Sequence, residues 1–280
     1  MKTYIILFLT GLLVFVIPST LSAAENKNSE KDNDVAVDLR RVYYKIDQGF
    51  STGRLSDRKM SNLHYTGPGG FINFGRRVNT PNYISEWNFL RVNFNYMKPE
   101  HGGTDVYKPS IGLRYIHLRK LNDLGAFRVH AGVQTNLFAD IRIAPRLGNS
   151  YLFADIVAEV RPQGKLSTGF HLLRQWNMDF SLSATLLGLG VRFPEYGTSF
   201  RVSQDGGAAF SRSEAQILKP SNFGHFTTGI FFSESFGDAS NPNRFRIGYI
   251  WDYYTMKSRY DLNVNNAIHQ IVLEFYFKVN

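Results

Sequence analysis

Met178-Asp179-Phe180-Ser181-Leu182-Ser183-Ala184-Thr185-Leu186 alternates apolar and polar side chains at every step. Successive side chains of a strand point to opposite faces, so this segment carries one apolar face and one polar face. The same period of two runs through Leu90 to Tyr96, with Arg91, Asn93 and Asn95 on the polar side. It runs through Phe127 to Leu137 as well, with Arg128, His130, Gln134 and Asn136 on that side. It returns in Phe245 to Tyr253, where only Ile250 interrupts the polar set, and in Ile271 to Val279, one residue short of the end. Helical spacing is hard to find over more than two turns. These segments are roughly 10 to 16 residues long, against about 5 or 6 for a typical globular strand. A tilted strand needs about 9 to 11 residues to cross the hydrocarbon of a bilayer. Their length therefore favours membrane-crossing strands over a soluble periplasmic sandwich, whose strands would alternate in the same way.

The N-terminus sets the compartment. Lys2 precedes an apolar run from Tyr4 to Pro18, and Ser19-Thr20-Leu21-Ser22-Ala23-Ala24 leads to the abruptly polar Glu25-Asn26-Lys27-Asn28. A positive start, an apolar centre and a small-residue exit read as a secretory signal peptide, residues 1–24. The apolar run is shorter than the roughly 20 residues of a spanning helix. No later stretch is longer, which excludes a helical membrane protein. The chain holds no cysteine, so lipid attachment, disulfide frameworks and thiolate metal sites are excluded. The net charge of +9 comes from basic residues dispersed along the chain. In an exported protein these read as lumen and rim charges, not as a nucleic-acid surface.

Residues 25–60 read as a flexible polar N-terminal segment, because Glu25 to Asp38 carries too little apolar surface to offset the entropy of ordering. Within it, Arg40 to Gly49 reads as a short strand or helix. Residues 61–280 read as an all-β domain with strands near 62–77, 84–97, 106–120, 125–139, 148–161, 165–175, 177–193, 222–235, 243–257 and 266–279. The last strand ends in Phe275, Tyr276 and Phe277, which resembles the sorting signal of outer-membrane β-barrels, although Val279-Asn280 departs from the usual final aromatic. From about Gly70 onward the chain resembles, as a class, the outer-membrane β-barrel proteins of Gram-negative bacteria. The resemblance implies a transmembrane antiparallel up-and-down barrel of about 10–12 strands, located in the cell outer membrane. Tyr83, Trp87, Tyr96, Trp176, Tyr249 to Tyr254 and Phe275 to Phe277 are then candidates for aromatic belts at the lipid interface.

Counting back from a final strand that descends to the periplasm places the long Pro194 to Ser221 connection outside, and this is the segment expected to contact a partner. Lys98 to Asp105, Asp140 to Asn149, Gln175 to Asn177 and Gly237 to Asn243 fall on the periplasmic side. The inward-facing set comprises Arg91, Arg114, Arg128, His130, Asp155, Glu159, Asp179, Arg246, Asp252, Glu274 and Lys278. Both signs are present, and a barrel this narrow is nearly filled by side chains. Opposite charges inside would either pair and block it or line a slim path for small solutes.

No catalytic residue, cofactor or metal site is assigned. Ser167 and His171 share a strand face but stand about 13 Å apart along it. His130 has no serine on its own strand, His225 sits beside Thr227 and Thr228, and His269 lies near the rim. Gly49-Phe50-Ser51-Thr52-Gly53 matches a nucleophile-elbow pattern, which needs a strand-to-helix turn that the sequence does not offer. The function expected is non-enzymatic: a narrow, porin-like passive pore, or an accessory envelope protein that binds through its loops. The alternative is a lipid-modifying barrel enzyme, an acyl hydrolase or transferase. The partners expected are outer-membrane lipid, the barrel assembly machinery through the C-terminal strand, and other envelope proteins.

Overall fold

The computed structural model describes residues 40–58, 60–121, 123–146, 152–171, 175–193, 214–236, 243–257 and 263–279. These form twelve strands: β1 (Arg41–Asp57), β2 (His64–Asn79), β3 (Tyr83–Pro99), β4 (Val106–Lys120), β5 (Arg128–Ile143), β6 (Leu152–His171), β7 (Gln175–Ala184), β8 (Leu187–Phe193), β9 (Glu214–Leu218), β10 (Phe223–Phe236), β11 (Asn243–Met256) and β12 (Val264–Val279). Every pairing is antiparallel. β1 to β6 pair in chain order, and β12 returns to β1 from Val42↔Val279 to Asp57↔Val264, closing the sheet on itself. β6 pairs with β7 over its second half and with β8 over its first, so these two strands are halves of one broken stave. β9 and β10 are the halves of the next, pairing with β8 and β7 respectively. The twelve strands thus make a closed barrel of ten staves, two of them interrupted.

The breaks have local causes. Thr185 and Leu186 leave the ladder between β7 and β8, but their N–H groups still donate, to the His225 carbonyl at 2.9 Å and the Val160 carbonyl at 3.0 Å. Pro162 lies in β6 two residues beyond Val160 and turns the same edge toward this gap, so the N–H that proline lacks falls where the partner strand is broken. Between β9 and β10, residues 219–222 form a single turn in which Asn222 Oδ1 accepts from the Lys219 N–H at 2.8 Å.

Three sequence expectations change. β1 is a 17-residue stave of the barrel, so the barrel begins at Arg41, within the stretch read as a polar segment. The segments expected at 148–161 and 165–175 are one strand, β6, because Pro162 and Gly164 stand within a ladder and not in a turn. That merger reverses the side of everything between Lys98 and Asn149. The β3–β4 and β5–β6 connections lie at the end shared with the long 194–213 connection, the loop end. The 172–174 and 237–242 connections lie at the other, the terminal end, where β1 begins and β12 finishes. The pattern at Gly49 to Gly53 sits inside β1, with Ser51 buried and accepting from Asn95 Nδ2 at 2.9 Å.

Several glycines are set by close approach, Gly248 among them. A Cβ on Gly248 would stand 2.2 Å from Phe231 Cδ1 and 2.6 Å from the Ile230 carbonyl, since the Phe231 ring folds across it. Around Gly164 there is nothing within 4 Å. Gly248→Ala is expected to lower the unfolding free energy by about 1–3 kcal/mol, and Gly164→Ala to lower it by less than about 0.5 kcal/mol, both read from urea unfolding of refolded protein.

Candidate functional site

Polarity is distributed inside out. Large apolar side chains point away from the barrel, among them Phe50, 78% exposed, Ile271, 58%, and Trp87, 50%. Ionised side chains fill the interior, with Arg142, Asp57 and Asp155 all at 0% exposure. Water outside would leave a continuous apolar surface far beyond what a soluble monomer exposes, whereas lipid outside satisfies it, and the closed ladder leaves no open edge in hydrocarbon. The side-chain arrangement is that of a transmembrane β-barrel of the outer-membrane type.

The interior has three levels. At the loop end, Arg142 bridges Asp57 and Asp155, and Arg192 binds the same two carboxylates, its Nε standing 3.2 Å from Asp155 Oδ1. Beside them Lys108 Nζ stands 2.8 Å from Asp140 Oδ1, and the Tyr254 hydroxyl donates to the other oxygen of Asp140. An apolar layer of Leu55, Met97, Val106, Phe153, Met256 and Val264 is packed around this cluster.

Midway along the barrel, the irregular stave sets up a second group. The His225 ring stands between two carboxylates, Nδ1 at 2.5 Å from Glu159 Oε1 and Nε2 at 2.8 Å from Asp252 Oδ1. Thr185, displaced by the β7–β8 break, donates to Glu159 Oε2 at 2.9 Å, and Asn136 Nδ2 donates to Glu159 Oε1 at 2.9 Å. Arg161 donates to Ser183 and, at 2.7 Å, to Thr227. On the facing wall Lys45 stands 2.8 Å from Asp47 and 2.6 Å from Glu86, and Arg114 stands 3.6 Å from Glu86. The spaces left here are small, ≈ 80 Å³ and ≈ 70 Å³, enough for a few waters at about 30 Å³ each.

Toward the terminal end Asp179 is shared by Lys165 and Arg246, each at 3.0 Å. Arg246 also stands 2.5 Å from Glu274 and lies over the Phe231 ring at 4.2 Å. Below this level the lumen widens into a vestibule of ≈ 450 Å³.

The residues singled out from sequence are distributed over these levels. Asp155 is in the loop-end cluster. Glu159 and Asp252 hold His225, Arg114 faces Glu86, and Arg91 lines the smaller mid-barrel space with Asp252. Asp179, Arg246 and Glu274 form the terminal-end level. His130 and Arg128 line the vestibule, where Arg128 donates to Asn177 Oδ1 at 3.5 Å. Two aromatics expected at the lipid interface, Tyr254 and Tyr276, are turned inward and buried. His269 meets the Tyr249 hydroxyl on the outer face. Ser167 lines the vestibule with His130, while the side chain of His171 lies outside the described residues. Among the described residues no serine hydroxyl is hydrogen-bonded to a histidine.

Sequence reasoning missed Lys45, Asp47, Asp57, Glu86, Arg142, Arg161, Lys165 and Arg192. Arg142 is in phase with His130 and Asp140, and Arg161 and Lys165 are in phase with Asp155 and Glu159, so the alternation already carried them. Glu86 and Arg192 were hidden by shifts of phase, at the bulge between Asn88 and Arg91 and at the β7–β8 break.

No protein-family model matches the chain, and no curated protein does. Among solved structures it is similar to the translocator domain of the autotransporter NalP from Neisseria meningitidis, at 11% identity over 98% of this chain and 97% of that one, TM-score 0.37. The outer-membrane protease OmpT from Escherichia coli is similar at 7% identity over 90% and 100%, TM-score 0.38. So is the β domain of the Bordetella autotransporter BrkA, at 10% identity over 85% and 100%, TM-score 0.36.

Arg142→Met leaves Asp57 and Asp155 sharing one cation in a site without water. It is expected to cost roughly 3–5 kcal/mol of folding free energy, and adding Asp155→Asn to recover part of that loss. Urea unfolding of the refolded protein checks both; a loss below about 1 kcal/mol would mean that the cluster is wet.

Proposed function

We propose that this chain is a closed, non-enzymatic barrel of the outer membrane that works by binding and not by conducting. The observation that carries the reading is the loop-end cluster of Arg142, Arg192, Asp57 and Asp155, in which each charge has an opposite partner, set within an apolar layer. An ion crossing the lumen would have to shed its water to pass that level, or break pairs whose members then stand uncompensated in a low-dielectric interior. The mid-barrel level adds a second barrier, with His225, Lys45 and Arg161 already partnered to side chains of their own and nearby strands.

The termini face the periplasm in this reading, because barrels keep short turns there and longer loops outside. The strand ends that the 194–213 connection joins then face the exterior; the connection itself, expected from sequence to contact a partner, lies outside the described residues. The exposed apolar belt takes outer-membrane lipid, and the C-terminal strand β12, ending in Phe275-Tyr276-Phe277, is the segment the assembly machinery engages.

Protein refolded in detergent and checked by heat-modifiable gel mobility is expected to be silent in a planar bilayer. The variant with Asp57, Arg142, Asp155 and Arg192 all replaced by alanine is expected to stay silent while the mid-barrel level is intact, and discrete conductance steps are expected once Lys45, Glu86, Glu159, Arg161 and His225 are replaced by alanine as well, each protein folded by the same check. Steady, ion-selective conductance by the wild type would overturn the closed reading and restore the passive pore.

A further inference from the structure

The vestibule at the terminal end has a charge balance unlike that of the sealed lumen above it. Seven cationic side chains line it, among them Arg41, Arg77, Arg128, Lys165 and Arg244, against one carboxylate, Asp179. That carboxylate is already shared by Lys165 and Arg246. Arg77 reaches Glu86 at 3.6 Å, and Lys120 pairs with Asp123 at the exposed rim at 3.0 Å. Arg41, Arg128 and Arg244 have no carboxylate partner among the described residues.

The wall is also built with polar atoms that have nothing to bond. Among the described residues the Tyr43 hydroxyl, on a side chain with 0% exposure, has no hydrogen-bond partner, and neither does His130 Nδ1, on a side chain with 8% exposure. Arg244 Nε is buried and likewise unpartnered. The Arg244 guanidinium is held over the Tyr43 ring at 5.6 Å. Buried guanidinium Nε atoms without partners also occur at Arg91, Arg142 and Arg161, and in native proteins such groups bond water, carry strain or meet a ligand; the vestibule differs in having the volume for a ligand. Here a guanidinium and a tyrosine hydroxyl border the same cavity, and both are donors.

We propose that this vestibule is a binding site for a phosphate-bearing ligand, held by Arg244 and Tyr43 with Arg41 and Arg128 supplying further charge. A carboxylate brings one charge and two oxygens. A phosphate group brings up to two charges and three acceptor oxygens, which better matches three guanidiniums lacking acids and a free hydroxyl donor. The volume of ≈ 450 Å³ exceeds what bare phosphate needs and lies in the range of small-molecule sites, about 300–1,000 Å³, so the ligand class is a phosphate ester or diphosphate. The low-dielectric wall focuses the field of the basic ring toward the mouth, which raises the local concentration of such anions. The inference does not depend on whether the lumen above conducts.

The test is calorimetric titration of inorganic pyrophosphate into refolded wild type in a neutral detergent at low salt. Saturable binding is expected, weakened roughly tenfold or more by Arg244→Gln and about threefold to tenfold by Tyr43→Phe. Arg244→Lys keeps the charge but loses the planar fork, and is expected to stay weaker than wild type. Absence of saturable binding, equal binding by wild type and all three folded variants, or citrate binding as tightly as pyrophosphate would each overturn the proposal. A second arm places the protein in phosphatidylcholine vesicles with and without phosphatidic acid. Displacement of pyrophosphate by phosphatidic acid identifies a lipid headgroup as the source of the phosphate, and undiminished binding identifies a soluble ligand.

Discussion

Closure of the sheet is the constraint from which the rest of the molecule follows. In hydrocarbon an unpaired N–H or C=O costs several kcal/mol, so β1 and β12 must meet over their whole length, and they do, from Val42↔Val279 to Asp57↔Val264. Closing only ten staves leaves a lumen about as wide as the side chains that point into it. The alternation that sends Phe50 and Ile271 to the lipid therefore sends Lys45, Asp47 and Glu274 into a space with little water. Charges brought together in this way must be matched. Lys45 on β1 accordingly finds its acids on its own strand, on β3 and, at 3.9 Å, on β12, just across the seam.

The pairing in the lumen is better understood as specification than as stabilisation. Burying an ion pair costs desolvation that its attraction roughly repays, while breaking one leaves a charge that nothing else can satisfy. Asp57 of β1, Arg142 of β5, Asp155 of β6 and Arg192 of β8 come from four strands and two sides of the barrel. A register slip of one residue in any of them would move its charge to the lipid face. The cluster thus penalises wrong registers more than it rewards the right one. A ladder that is otherwise tolerant of slippage gains a single native alignment.

What the sequence disclosed and what it hid follow from the same inversion of polarity. The long alternating strands, the apolar outward face and most inward charges of β3, β5, β7, β11 and β12 were legible because period-two patterning needs no partner to be seen. β1 was legible only in part: Arg40 to Gly49 reads as a short strand or helix, but Arg41, Lys45 and Asp47 look like solvated charges to a reading that associates charge with water, which hid its full length and its place in the barrel. In a closed barrel Arg41, Lys45 and Asp47 fall on the inward phase with Tyr43, and the apolar Val42, Tyr44 and Ile46 between them form the lipid face. Pro162 misled in the opposite direction. Proline before Gln163-Gly164 reads as a turn, and only the gap between β7 and β8, a feature of the neighbouring stave, makes its missing N–H harmless. Side assignment then failed for the connections upstream of that strand, because one false turn inverts every connection counted beyond it. The vestibule was illegible for a related reason: Arg41, Arg128 and Arg244 belong to three separate strands, and only closure brings them around one mouth.

The two ends of the lumen obey different rules, and the difference bears on what such a barrel can do. At the loop end and midway, most cations stand within 4 Å of a carboxylate, Arg91 excepted, so much of the field cancels there. At the terminal end, acids are scarce, and the positive excess that composition reports as a net +9 is partly concentrated around a cavity with a closed floor. An open channel with such a mouth would select anions for transport. With the floor formed by Arg246, Asp179, Glu274 and Tyr276, mutually bonded beneath it, the same charges attract an anion and then hold it. The closed lumen and the phosphate-binding mouth proposed above are thus consistent with one another: attraction that would speed permeation in a pore would serve retention in a closed barrel.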